Sequence, residues 1–148
     1  EVRFMLAEMA VRGWSVPGDA KTHYEAGVKA AMQMLSGIYP DAAAISDAEV
    51  ATYLAAKPYD ASKGWEMISE QYWAATLLNE YEAFSNWRRT GFPTLVPTND
   101  PGNVTGGTIP RRLIYPTGEG STNAENYNAA IARQGPNDFK TRVWWDKQ

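Results

Sequence analysis

The acidic residues are the first place to look for chemistry. Glu66 and Glu70 lie four positions apart, which puts two carboxylates on one helix face, where they could hold a metal ion or act on a sugar. No histidine-containing ligand pattern accompanies them, so a solvated polar edge is the better account. Glu80 and Glu82 point in different directions on a helix and do not form a pair. A glycosidase needs two carboxyl groups placed across a bond, and no such pair is identifiable. His23 is the only histidine and reads as an exposed helix residue rather than a general base. The absence of cysteine excludes thiolate zinc sites, disulfide staples and a cysteine nucleophile. There is no Gly-x-Ser-x-Gly, no Gly-Lys-Ser/Thr phosphate loop and no Gly-x-Gly-x-x-Gly. Asn99, Asp100 and Asn103 offer oxygens in one loop, but a single carboxylate falls short of a calcium set, and turn chemistry explains them. Asn103-Val104-Thr105 fits the glycosylation triplet, a pattern common by chance. The residues therefore supply no catalytic group, no metal site and no cofactor site.

The six Trp and eight Tyr suggest a different activity, because the C–H faces of sugars stack on aromatic rings. Trp65, Trp73, Tyr81 and Trp87 fall on helical stripes, where large rings serve a core. Trp14 and Tyr59 sit in loops and are the two candidates for contact with a ligand.

A chain of 148 residues with 44% apolar content can bury one core. The formal charge of -3 is uneven: residues 1–85 carry six Lys/Arg against twelve Asp/Glu, and residues 86–148 carry eight against five. The basic residues of the second part are scattered among prolines and cap positions, which disfavours a surface that tracks nucleic-acid phosphates. No apolar run approaches the roughly 18 residues of a membrane helix. The chain opens at Glu1-Val2-Arg3-Phe4-Met5-Leu6 already in helical rhythm, which reads as a cut inside a longer protein whose lipid anchor, if present, lies upstream.

The elements that must position these residues are mainly helices. Val2, Met5, Leu6, Met9 and Ala10 mark the face of a first helix that ends near Gly13. Asp19 caps a second, striped by Tyr24, Gly27, Val28, Ala31, Leu35 and Ile38. The spacing Ala20-x3-Tyr24-x2-Gly27-Val28, after Leu6-Ala7-x2-Ala10, resembles a tetratricopeptide (TPR) hairpin. Ser46 and Glu49 form a capping box for a short helix that stops before Pro58. One long buried helix is expected from about Lys63 to Arg89. Trp65, Ile68, Tyr72, Ala75 and Leu78 form one of its stripes, and Trp73, Leu77, Tyr81 and Phe84 another. Arg88 and Arg89 suit its negative end, and Gly91 can take the left-handed cap.

Residues 94–107 form a long loop, and Ile109 to Tyr115 an extended segment. A second capping box, Thr122 with Glu125, opens a last helix to about Gln134. Val143, Trp144 and Trp145 are expected to be buried. The fold class is thus mainly α: a TPR-like hairpin over 1–39, a short and a long helix over 46–90, and a loop-rich tail with one helix and little strand over 91–148.

Four separated blocks occur in order: Trp87-Arg88-Arg89-Thr90-Gly91-Phe92-Pro93, Ile109-Pro110-Arg111-Arg112-Leu113-Ile114-Tyr115-Pro116, Asn126-Tyr127-Asn128-Ala129-Ala130, and Trp144-Trp145-Asp146. Together they resemble the C-terminal end of SusD/RagB proteins, in the branch called SusD-like. The resemblance implies a surface-exposed outer-membrane lipoprotein of Bacteroidetes-type bacteria, anchored through an N-terminal Cys that this chain lacks. It implies a non-catalytic protein that captures oligosaccharides or other nutrients for a TonB-dependent, SusC-like transporter, with TPR helices as scaffold. The chain would be the last third of such a protein. The blocks read physically as helix stops, caps and buried aromatics, so they assign no ligand residue. Of Arg111 and Arg112, neighbours on an extended segment, one is expected to anchor a carboxylate inside and the other to be solvated. The alternative reading is a TPR-like protein-interaction domain without glycan binding; a hydrolase using helix-borne Glu residues stands third.

Overall fold

Among residues 1–146, which the computed structural model describes, the chain forms seven α-helices and no strand, in keeping with the mainly α reading. They divide between two compact units, Glu1–Pro93 and Thr94–Gln148.

In the first unit, α1 (Val2–Val11) ends in a Schellman motif. Gly13 N–H donates to Ala10 O and Trp14 N–H to Met9 O, which requires the positive φ of 74° that Gly13 takes. The Asp19 side chain accepts from Thr22 N at 2.7 Å and starts α2 (Ala20–Ile38), as expected. The hairpin is close because of Gly27: a Cβ there would lie 2.8 Å from the Phe4 ring. That contact sets which face of α1 is buried. Phe4 and Ala7 are inside, whereas Val2 is 68% and Met5 46% exposed, so the expected stripe is rotated. An aromatic opposite a glycine fills the gap better than the larger aliphatic row does.

The core of this unit is Phe4, Ala7, Tyr24, Val28, Ile68 and Tyr72. Phe4 meets both Tyr24 and Tyr72 edge to face, with centroids 6.3 Å apart in each case. Helix α3 (Asp47–Ala56) begins with the Ser46/Glu49 capping box, both hydrogen bonds being present.

The expected long helix is two helices, α4 (Gly64–Ala75) and α5 (Glu80–Thr90). Thr76 Oγ1 donates back to the carbonyls of Tyr72 and Trp73, each at 3.0 Å, and competes with the helical ladder. Leu78 then takes φ 72°, and Asn79 caps the new helix by accepting from Glu82 N. Asn79 with Glu80 and Glu82 in the next turn is a start signal that continuous apolar periodicity hides. As a result Leu77 and Tyr81 of the expected second stripe, and Leu78 of the first, are mostly exposed. Gly91 closes α5 at φ 82°, its N–H donating to Trp87 O at 2.8 Å.

In the second unit α6 (Glu119–Thr122) precedes α7 (Ala124–Gln134). The Thr122/Glu125 capping box does not form, because the Thr122 hydroxyl donates to Gly118 O within α6 and Asn123 becomes the N-cap. The extended segment is tied by Arg111 N–H to Phe139 O and by Tyr115 N–H to the Asn137 side chain. Asp146 is fully buried through its side chain and bridges Arg111 and Arg142. Burial lowers the Arg111 pKa while the Asp146 carboxylate opposes that effect. Arg111 is therefore the inward anchor. Arg112 is not solvated as expected: its guanidinium lies 4.9 Å from the Tyr115 ring centroid and Nε donates to Leu113 O, a flat cation stacked on an aromatic face. Trp144 is 84% exposed, contrary to expectation, while its neighbours Val143 and Trp145 are half-buried.

Candidate functional site

A cavity of about 310 Å³ opens between α1, α4 and α5 in the first unit. Its apolar wall is Phe4, Met5, Met9 and Ile68, and its polar rim is Glu8, Glu82, Asn86 and Arg89. Trp14, held by the turn after α1 and 58% exposed, stands at its edge.

The rim is internally braced. Glu8 accepts from Arg12 Nε at 2.9 Å and from both terminal nitrogens of Arg89, a bidentate pair. Arg89 also donates to Asn86 Oδ1 at 2.9 Å, and Asn86 Nδ2 donates to Ser69 O. The guanidinium groups of Arg12 and Arg89 lie 4.5 and 5.7 Å from the Trp65 ring centroid, and Arg12 lies 5.7 Å from that of Trp14. Tyr72 donates to Glu82 at 2.8 Å; burial first, then this bond, raises its pKa.

Of the two loop aromatics, only Trp14 lines this cavity. Tyr59 is half-buried, its ring 5.1 Å from Tyr24 and its hydroxyl against Gly64. Burial is the main cause of its raised pKa. His23 is buried, not exposed as expected: Nε2 lies 2.6 Å from Pro17 O, and the ring packs beneath Gly18. It wedges the turn that leads into α2 and serves packing. Glu66 and Glu70 are half-buried on α4, and no group of three His, Cys, Asp or Glu among the described residues could hold a metal. Asn103 Oδ1 accepts from Thr105 N and Oγ1, which is turn chemistry. Among the described residues no helix is long and apolar enough to cross a membrane.

The Glu8, Asn86 and Arg89 network escaped sequence reasoning. Glu8 and Arg12 carried a signal in their four-residue spacing, but Arg89 was accounted for by its helix end, and its distant partner, 81 residues away, leaves no local trace.

Comparison with known proteins places the fold. Residues 1–116 match the family model described as SusD-like, starch-binding associating with outer membrane. The chain belongs to the SusD-like family. Among solved structures, one named a chitin-binding protein is 44% identical, with TM-score 0.88 over 99% of this chain and 32% of its own. A Bacteroidetes SusD-like protein is 36% identical, with TM-score 0.86 over 99% of this chain and 29% of its own. A chitin-binding SusD homologue from Flavobacterium johnsoniae is 28% identical, with TM-score 0.71 over 99% of this chain and 35% of its own. The SusD-like chain thus spans about a third of the length of these structures. No curated protein matches it.

Proposed function

We propose that this chain is the C-terminal part of a non-catalytic SusD-like lipoprotein that binds chitin-type oligosaccharides at the bacterial surface and passes them to a TonB-dependent transporter. The observation that carries the reading is the 44% identity and TM-score of 0.88 to a protein named for chitin binding. The coverage of about a third of each relative supports a larger whole, in which an upstream lipid anchor would hold the protein to the outer membrane. The absence of an acid and base pair in the sequence supports binding without catalysis.

The test is a calorimetric screen of the 148-residue chain against chitooligosaccharides, maltooligosaccharides and peptides. Saturable binding of chitooligosaccharides without cleavage is expected. Hydrolysis, or binding of peptides alone, would overturn the reading. Copurification of a TonB-dependent transporter from outer membranes is the expected result for the partner, and its absence would remove that part.

One observation favours the alternative, a protein-interaction domain. An apolar groove of about 270 Å³ lies between α2 and α4, with Met34, Leu35, Leu77 and Leu78 exposed along it. Capture of a protein partner on this groove, with no glycan bound by the chain, would favour that reading.

A further inference from the structure

We propose that the cavity between α1, α4 and α5 is a subsite for one pyranose residue, with the Trp14 indole as its stacking face and Arg89 and Glu8 as its hydroxyl partners. The proposal rests on the glycan reading above and gives it a place in this chain.

Three features converge on a sugar ring. The first is size: about 310 Å³ lies at the small end of ligand pockets, which run from roughly 300 to 1,000 Å³, so it suits one ring rather than a run of them. The second is the division of surface. Apolar Phe4, Met5 and Ile68 share the lining with polar Glu8, Asn86 and Arg89, a mixture that matches a molecule with C–H faces and hydroxyl edges. The exposed indole of Trp14 at the mouth provides the flat apolar face such a ring stacks on.

The third is charge. The carboxylates of Glu8 and Glu82 are matched in number by the guanidinium groups of Arg12 and Arg89, both of which donate to Glu8, so neither sign is left in marked excess. A neutral ligand is favoured over an anion or a cation. The Arg89 side chain is 36% exposed and its three bonds to Glu8 and Asn86 do not exhaust its N–H groups, so it can donate to a hydroxyl while Glu8 oxygens accept from one. Because the rim is already locked by its own bonds, little conformational freedom is lost on binding.

The test is calorimetric titration of the chain with N,N′,N″-triacetylchitotriose, with circular dichroism confirming that each variant is folded. Trp14→Ala should bind about ten-fold more weakly, the loss of one aromatic contact, and Trp14→Phe should recover most of the affinity. Met5→Trp, which fills the cavity from an exposed position and leaves Trp14 in place, should abolish binding. Trp144→Ala removes the other strongly exposed indole, in the second unit, and should change nothing. Wild-type affinity in both Trp14→Ala and Met5→Trp would refute this subsite and leave the glycan reading standing. No binding of any glycan by the unaltered chain would overturn the glycan reading and this proposal together.

Discussion

Replacing Glu8 by glutamine keeps the side-chain shape and removes the charge that joins two arginines. The carboxylate accepts from Arg12 Nε and from both terminal nitrogens of Arg89, and both guanidinium groups also lie against Trp65. Exposed ion pairs contribute roughly 0.2–1 kcal/mol, whereas hydrogen bonds to charged groups contribute roughly 1.5–3 kcal/mol. Glu8 is 18% exposed and its partners 39% and 36%, which places the network between those cases. Glu8→Gln should therefore destabilise by about 1–1.5 kcal/mol, or about 5–8 °C in melting temperature for a domain of this size. Urea unfolding followed by far-ultraviolet circular dichroism measures the loss, and Trp fluorescence reports the environment of Trp65. A double-mutant cycle with Arg89→Leu should give a coupling of about 1 kcal/mol, which shrinks as salt is raised. If Glu8→Gln unfolds within about 0.5 kcal/mol of the unaltered chain, the network is screened by water and does not brace the rim.

Gly27→Ala should destabilise by about 1–3 kcal/mol, because the added methyl would meet the Phe4 ring across the α1–α2 hairpin; a melt unchanged from the parent would contradict the close approach. Leu78→Gly should stabilise by about 0.5–1 kcal/mol, since an L residue pays to sit at φ 72° and this side chain is 70% exposed; a loss of stability would show that Leu78 packs after all. Alkali should unfold the first unit through Tyr24, whose hydroxyl is pushed up to about 12, chiefly by burial. The folded state holds that proton more tightly, so stability is intact below the unfolded value of 10.0 and falls as pH rises through the folded one. An absorbance titration in which every tyrosine ionises at its ordinary value in the native protein would refute this.

Local signals were the legible part of the fold. Asp19, Ser46 with Glu49, Gly13, and Gly91 after Arg88 and Arg89 satisfy or end backbone ladders within a few residues, and each acts as its sequence suggests. What failed depended on contacts between distant positions. The face of α1 follows from Phe4 meeting Gly27, and the break at Thr76 to Asn79 replaces an apolar period that looks unbroken in sequence. The exposure of Trp14 was legible because a bulky ring just after a helix stop has little to pack on. Asn86 and Arg89 were not: Asn86 is a polar side chain buried against Ser69 O, the Arg89 bridge to Glu8 crosses 81 positions, and neither leaves a periodicity.

The tie between Arg111 and Asp146 has a consequence for biosynthesis. Residues 35 positions apart close this contact, so the second unit cannot complete it until residue 146 has cleared the ribosome. The Glu8–Arg89 bridge, by contrast, needs only residues 1–89 of this stretch, and the unit that carries it can assemble while translation continues. Chains stalled far enough beyond Pro93 for that residue to have emerged should already resist protease over α1 to α5, whereas the stretch that holds Arg111 stays cleavable until residue 146 has emerged.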